Sequence, residues 1–445
     1  MIVPLPRLIV WTLIVVLPFS LAASARGVAS YAATAAIAAF LFIAGLDAFF
    51  SRRILEGVTL VFPAVFRLSK GRKGELDIIV QKDRRRPMNL GMALCLPAGI
   101  ASEQETLVVR LPGQAGASRV SWPCRAVARG SFVLDTYYLE TPSPLGLWSR
   151  RKKGAVRMEV RVVPDLAAGR MEMAGIFIRR APGAHAQRRL GKGREFEALR
   201  EYAAGDNFED IHWKATAKRG RPVTKVYQLE SSQEIYVVLD ASRHSARVVE
   251  DREGLAPATL LERFITAALV LGMTASRQGD RFGVLAFSDH VDRFVKAGTG
   301  KAHQAMCRDL LFSLEPREAM PDFSEVFSFI GTRFPRRALL LFLTCLDDAV
   351  TVESFARCTR MATARHLVIV NMPRPPGAKP LFSSPEVASP DDLYRELAGH
   401  FIWSGLKETQ RLLASIGVGF FLLDSEKMCA QLAARYLSIK QRQVL

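Results

Sequence analysis

The chain has 445 residues, too many for one ordinary core, so two or more domains are expected. About half the residues are apolar (49%) and 23% are charged, which excludes a disordered chain. The formal charge of +18 favours an anionic partner. Six cysteines are scattered singly, with no Cys-x-x-Cys pair, which argues against a disulfide framework or a zinc site and for reduced, buried thiols.

The amino terminus reads as membrane. LIVWTLIVVLPFSLAASA (8–25) carries no charge and is just long enough to cross a bilayer. YAATAAIAAFLFIAGLDAFF (31–50) follows at once, with one acid, Asp47, near its end. A cleavable signal peptide is not usually followed directly by a second span, so residues 1–53 are read as a transmembrane hairpin. Arg7 precedes it and Arg52, Arg53, Arg67, Lys70, Arg72 and Lys73 follow it, whereas Arg26 alone lies between the spans. The positive-inside rule then predicts the inner, cytoplasmic membrane with both termini in the cytoplasm, and an anionic membrane surface as a partner.

Residues 54–185 read as a β-rich domain. LDIIVQ, LGMALCL, TLVVRL, RVSWPCRAVA, FVLDTYYLE and VRMEVRVV are short alternating runs broken by Gly, Pro and charge. No helical period intervenes, so an all-β, sandwich-like domain or open barrel is expected, with SPLGLW (143–148) as a turn into a strand. The basic stretch at 186–221 is the linker or joint.

From 222 to 445 strands alternate with helices. PVTKVYQLE, EIYVVLD, DRFGVLAFS, VDRFVKAG, RALLLFLTCL, HLVIVNM and VGFFLLD are the strands. Helices are predicted near 257–277, 301–314, 323–334, 351–364, 391–415 and 425–437. This predicts an α/β, doubly wound, mostly parallel sheet, so the chain as a whole is multidomain.

Two stretches carry candidate chemistry. In DNFEDIHWKATAKRG (206–220) the spacing of Asp206 and Glu209 predicts a capping box, and Gly220 a helix stop. His212 with Asp210 or Glu209 would make an acid/base or metal pair, yet residues two or three apart on a helix diverge more than i,i+4 partners. A structural joint is the favoured reading, with Trp213 and Ile211 buried between the β domain and the sheet. A hydrolase or transferase using Asp210 and His212 is the alternative, and a cell-envelope scaffold a third. In VVLDASRHS (237–245) Asp240 leaves a buried strand and Ser242 follows. An Asp-x-Ser-x-Ser run there would offer one carboxylate and two hydroxyls to magnesium, but His244 holds the third place. Capping of the next segment by Asp240 and Ser242 explains them equally well. P-loop, Gly-x-Ser-x-Gly and His-Glu-x-x-His patterns are absent. The basic runs KDRRRP and RRKK lack interleaved aromatics, so no nucleic-acid partner is expected.

The stretch from Arg194 to Ser242 resembles the signature of the DUF 58 family (domain of unknown function 58), E-F-x-x-L-R-x-Y-x-x-G-D followed by I-x-W-K. Glu195, Phe196, Leu199, Arg200, Tyr202, Gly205, Asp206, Ile211, Trp213 and Lys214 carry it. SPLGLW, VRVVPD, the paired spans and the closing RYLSIKQRQVL resemble other marks of the same family. The resemblance implies a von Willebrand factor A-like domain at 222–445 and a MoxR-type AAA+ ATPase as partner in chaperone-like assembly or regulation of a client; no catalytic reaction is established for the family, so an adaptor that acts by binding is expected. Asp240 and Ser242 match the first two ligands of the A-domain metal site. His244 replaces the next serine, Pro321 and Asp322 stand where a threonine is expected, and Cys345 takes the place of an aspartate, with Asp347 further on. The site therefore reads as degenerate, with no cofactor required and magnesium disfavoured. Asp240, Ser242, His244 and Asp347 are then expected to line a partner-docking surface. The sequence leaves the oligomeric state open.

Overall fold

The computed structural model describes residues 1–23, 28–83, 87–113, 116–165, 190–203, 206–228, 232–249, 258–383 and 389–442; at 28–29, 190–198 and 226–228 the backbone alone is described. It divides into two compact units, Met1–Pro164 and Asp165–Leu445.

In the first unit, helices α1 (Pro6–Ala23) and α2 (Val28–Ser51) are each long and apolar enough to cross a membrane. Their side chains are largely exposed. The sequence reading misses a short strand before them, β1 (Ile2–Pro4).

The β region begins with β2 (Val58–Val61), β3 (Val65–Ser69), β4 (Lys73–Lys82), β5 (Met88–Leu94) and β6 (Ile100–Ala101). It continues with β7 (Leu107–Leu111), β8 (Gly116–Ala126), β9 (Gly130–Pro142) and β10 (Trp148–Val163). One sheet runs β1-β10-β9-β5-β7 with β3 also on β10; the other runs β2-β4-β8-β6. Alternate residues of both sheets, among them Ile78, Trp122, Leu90, Leu139 and Val160, meet in one core. The two layers around that core are the expected sandwich, and the six alternating runs all fall on strands.

The second unit opens with a two-stranded ribbon, β11 (Leu190–Glu201) and β12 (Val223–Gln228), joined through α3 (Trp213–Arg219). PVTKVYQLE was expected as a strand of the main domain; its described part instead pairs with the basic linker, outside the central sheet.

The central sheet starts with β13 (Glu234–Asp240). A small ladder of β14 (Val248–Val249) and β15 (Ala258–Thr259) follows, then α4 (Leu260–Arg277), β16 (Arg281–Phe287), β17 (Val291–Gly298) and α5 (Lys301–Leu311). After these come α6 (Phe323–Arg333), β18 (Ala338–Leu343), α7 (Ala349–Thr363), β19 (Leu367–Pro373), α8 (Pro390–Ser415), β20 (Gly419–Leu423) and α9 (Met428–Gln441). The order is β17-β16-β13-β18-β19-β20, antiparallel only at β17. Odd residues of β13 and β18 bury one apolar layer with α4, α5 and α9. Even residues bury the other with α6, α7 and α8. This is the doubly wound architecture predicted, and its two faces explain why the strand ALLLFL (338–343) is apolar throughout.

Candidate docking site at the carboxyl edge of the sheet

Strand order reverses between β13 and β18, and ligands of open α/β sheets bind outside the carboxyl ends at such a point. Leu239 lies in register with Leu343, so the next residues, Asp240 and Thr344, are neighbours leaning to the same face. Thr344 Oγ1 donates to Asp240 Oδ2 at 2.5 Å, and the Ser242 amide donates to Oδ1 at 2.8 Å. Asp240 is 1% exposed. Burial pushes its pKa up, against the pull of its Ser242 and Thr344 donors.

The loop after Asp240 closes over it as a short 3-10 turn, Arg243–Ala246. Ser245 Oγ donates to the Ser242 carbonyl at 2.8 Å. Ser242 and His244 are buried, and among the described residues neither Ser242 Oγ nor His244 Nε2 finds a hydrogen-bond partner. The segment before α6 is laced to this loop by two backbone bonds, Arg243 N to Ala319 O (3.0 Å) and Arg317 N to Ala241 O (2.8 Å).

These placements correct the expected docking surface. Asp240, Ser242 and His244 lie beneath the surface, and Asp347 is engaged by Arg247. The exposed rim is supplied by Arg243, Arg247, Asp289, His290 and Arg317. The sequence reading missed the β16 loop. There Ser288 Oγ bonds Asp289 and Asp292 at 2.9 and 2.8 Å, and Arg317 pairs with Asp292 at 2.9 Å. The polar residues Ser288, Asp289, His290 and Asp292 directly after the apolar stretch FGVLAF were the available signal.

The residues present do not fit magnesium. Asp322 spends its carboxylate capping α6, accepting from the Ser324 and Glu325 amides at 2.8 and 3.2 Å. Cys345 is a buried thiol whose pKa burial pushes well up, so it offers no thiolate. Asp348 caps α7 through the Thr351 amide at 2.7 Å. No group of three His, Cys, Asp or Glu side chains is placed to hold a metal ion among the described residues. One carboxylate and one hydroxyl remain, too few hard ligands for a protein-built site.

The 195–220 segment also departs from expectation. Glu195 and Phe196 lie where the backbone alone is described, and Gly205 lies outside the described residues. Asp206 does not cap a helix. It accepts from the Ala203 amide at 2.9 Å, from Thr224 Oγ1 at 3.4 Å and from Arg200. The Ala203 amide, with Arg200 behind it, holds its carboxyl below the usual range. Tyr202 reaches the Asp206 carbonyl at 3.3 Å, and Leu199 is half-buried. The single helix expected over 207–219 is broken into a 3-10 turn (Phe208–Asp210) and α3, with Ile211 bridging to Thr224 between them. His212 is the true cap: its Nδ1 accepts from the Ala215 amide at 3.1 Å, and no hydrogen bond joins it to Asp210. Gly220 stops the helix in the left-handed region (φ 66°), as predicted. Ile211 is buried, but Trp213 is 71% exposed and Lys214 is exposed too. Trp213 is therefore not a core residue.

No curated protein matches the chain. The crystal structure of an aerotolerance-related membrane protein from Bacteroides fragilis NCTC 9343, with multiple mutations to serines, is 12% identical. The match covers 46% of this chain and 99% of that one, with a TM-score of 0.29. The SpRpn10 VWA domain is 8% identical over 46% of this chain and 95% of that one, with a TM-score of 0.28. Residues 198–377, which span the Asp240 loop and its neighbours at the sheet edge, match the family described as "Protein of unknown function DUF58".

Proposed function

We propose that the protein is a membrane-anchored binding protein without catalysis of its own. In this reading α1 and α2 cross the inner membrane with both termini in the cytoplasm, and residues 222–445 act as a von Willebrand factor A-like domain. The order β17-β16-β13-β18-β19-β20 with one antiparallel edge strand supports that assignment. The docking surface is the carboxyl edge of the sheet, and its partner is a MoxR-type AAA+ ATPase, a class taken from the family resemblance.

The observation that carries this reading is the contrast at the edge. Below lies a buried polar core around Asp240, without a metal ligand set among the described residues. Above it stands an exposed polar rim of Arg243, Arg247, Asp289, His290 and Arg317. A rim of that kind steers and orients a partner rather than reacting with it.

Cross-linking mass spectrometry on native membranes, with the full chain as bait, tests it. Cross-links between an AAA+ ATPase and the 243–247 or 315–319 segments are expected. Capture of envelope enzymes alone, with no ATPase, would replace the adaptor reading with that of a scaffold.

A further inference from the structure

The last turns of α2 wall a cavity of about 1110 Å³ in the first unit. One side is apolar, formed by Ile43, Leu46 and Phe50, all exposed. Arg52 and Arg53 stand at the helix end; Lys82 of β4 also lines the cavity, but it is buried and its Nζ donates to the Pro112 carbonyl at 2.5 Å. Two acids also line the cavity. Asp47 is spent on the protein, accepting from Ser143 Oγ at 2.5 Å and the Leu145 amide at 3.1 Å. Glu56 likewise has a partner within the chain.

Length places this cavity at a defined depth. The 24 residues of α2 rise about 36 Å at 1.5 Å per residue, against a hydrocarbon core of about 30 Å. If α2 spans, the apolar wall borders the acyl chains and the two guanidinium groups sit at phosphate level. A guanidinium fork matches phosphate oxygens, and the wall continues the lipid-facing side of the helix. A water-soluble anion would use the cations and leave the wall uncovered.

We infer that this cavity binds one anionic phospholipid of the surrounding bilayer, its phosphate on Arg52 and Arg53 and an acyl chain along Ile43, Leu46 and Phe50. The inference rests on the spanning reading of α1 and α2, and needs neither the docking partner nor the orientation proposed above.

The test is native mass spectrometry of the full chain, delipidated in detergent and titrated with phosphatidylglycerol or with phosphatidylcholine of the same acyl chains. The first phosphatidylglycerol adduct is expected at a concentration roughly tenfold lower. Arg52→Gln/Arg53→Gln should abolish that preference. Lys153→Gln/Arg157→Gln, exposed on β10 away from the cavity, should keep it. Phe50→Ala, an exposed position, should weaken binding of both lipids and serves as a second readout if the arginine pair proves necessary for folding. Equal binding of the two lipids by the unaltered protein overturns the inference. So does a preference that survives the Arg52/Arg53 change, or one lost equally with Lys153 and Arg157, which marks diffuse attraction. Capture of an ATPase is not measured here, so this result and that of the docking test fail separately.

Discussion

Tyr436 of the last helix donates its phenolic hydrogen to Asp280, a fully buried carboxylate 156 residues earlier, at the turn between α4 and β16. Lys440, one turn on, reaches the same carboxylate oxygen at 2.8 Å and the Gln278 carbonyl at 2.8 Å. The Gln233 amide holds the other oxygen at 3.0 Å. The stretch RYLSIKQ is thus a latch that ties α9 to the amino-terminal edge of the sheet, opposite the edge that carries Asp240.

Tyr436→Phe is expected to cost about 1.5–3 kcal/mol, the range for a hydrogen bond to a charged group. Burial, then the Asp280 carboxylate, raise the Tyr436 pKa in the folded protein. A raised folded pKa means stability that is complete below the unfolded value, about 10, and lost as pH climbs above it. Denaturant unfolding at pH 7 and at pH 10.5 should therefore show the gap between the two proteins narrowing at the higher pH. A constant gap would deny the latch its hydrogen bond.

Asp240 follows the same linkage sign at lower pH, but here the substitution is expected to stabilise, because among the described residues no ion pair meets its buried carboxyl. Its folded pKa is raised, so the native state binds the proton more tightly than the unfolded chain does. Stability from this group is present below about pH 4 and is lost as pH rises through the folded pKa. Asp240→Asn should melt at or above the unaltered protein at pH 7.5, with the difference closing toward pH 4. Thr344→Val, which strips a hydrogen-bond donor from the buried Asp240 carboxyl, should instead destabilise by about 1–3 kcal/mol at neutral pH. Thermal melts of the three proteins across that range decide it, and a neutral-pH loss in Asp240→Asn would contradict the sign.

Ile211 and Trp213 separate burial from hydrophobicity. Ile211→Ala should cost about 2–5 kcal/mol as a large-to-small core change. Trp213→Ala should stay within about 0.5 kcal/mol, the usual range for surface positions. Urea unfolding of both variants checks the pair. A loss of several kcal/mol at Trp213 would restore the role expected for it from its sequence context.

That contrast also marks where the sequence was readable. The apolar runs at 234–240, 280–288 and 337–346 announce buried parallel strands because both faces of the sheet are covered. The ribbon partner of PVTKVYQ was hidden in a charged, glycine-bearing stretch without clear alternation. Trp213 misled because apolar residues are often inside, while many still stand on the surface. The Asp240–Thr344 bond spans 104 residues and depends on strand register, which no local pattern encodes. Asp240 itself was found because a carboxylate leaving a buried strand needs a reason. Its burial came from the loop that folds over it, held by the backbone bonds to Ala319 and Arg317.

Asp47 turns the SPLGLW turn into a socket. Besides the two bonds from Ser143 and Leu145, Trp148 Nε1 donates to the Ala44 carbonyl one turn earlier in α2, at 2.9 Å. Ser143 Oγ in turn accepts from the Leu147 and Trp148 amides at 3.1 and 3.0 Å. The end of α2 is thereby keyed to the start of β10 by polar contacts to the Ala44 carbonyl and to the one acid of an otherwise apolar helix. Asp47→Ala removes the acceptor and leaves the Ser143 hydroxyl and the Leu145 amide unpaired, at a cost of about 1–3 kcal/mol each where water cannot replace it. The sandwich core, built from other residues, should persist. Hydrogen exchange of the full chain in detergent should therefore show faster exchange confined to 143–148 and the last turn of α2, with β4 and β8 unchanged. Uniform loosening of the whole unit would mean that the socket is part of the fold's stability, and no change at all would mean that it does not hold the helix.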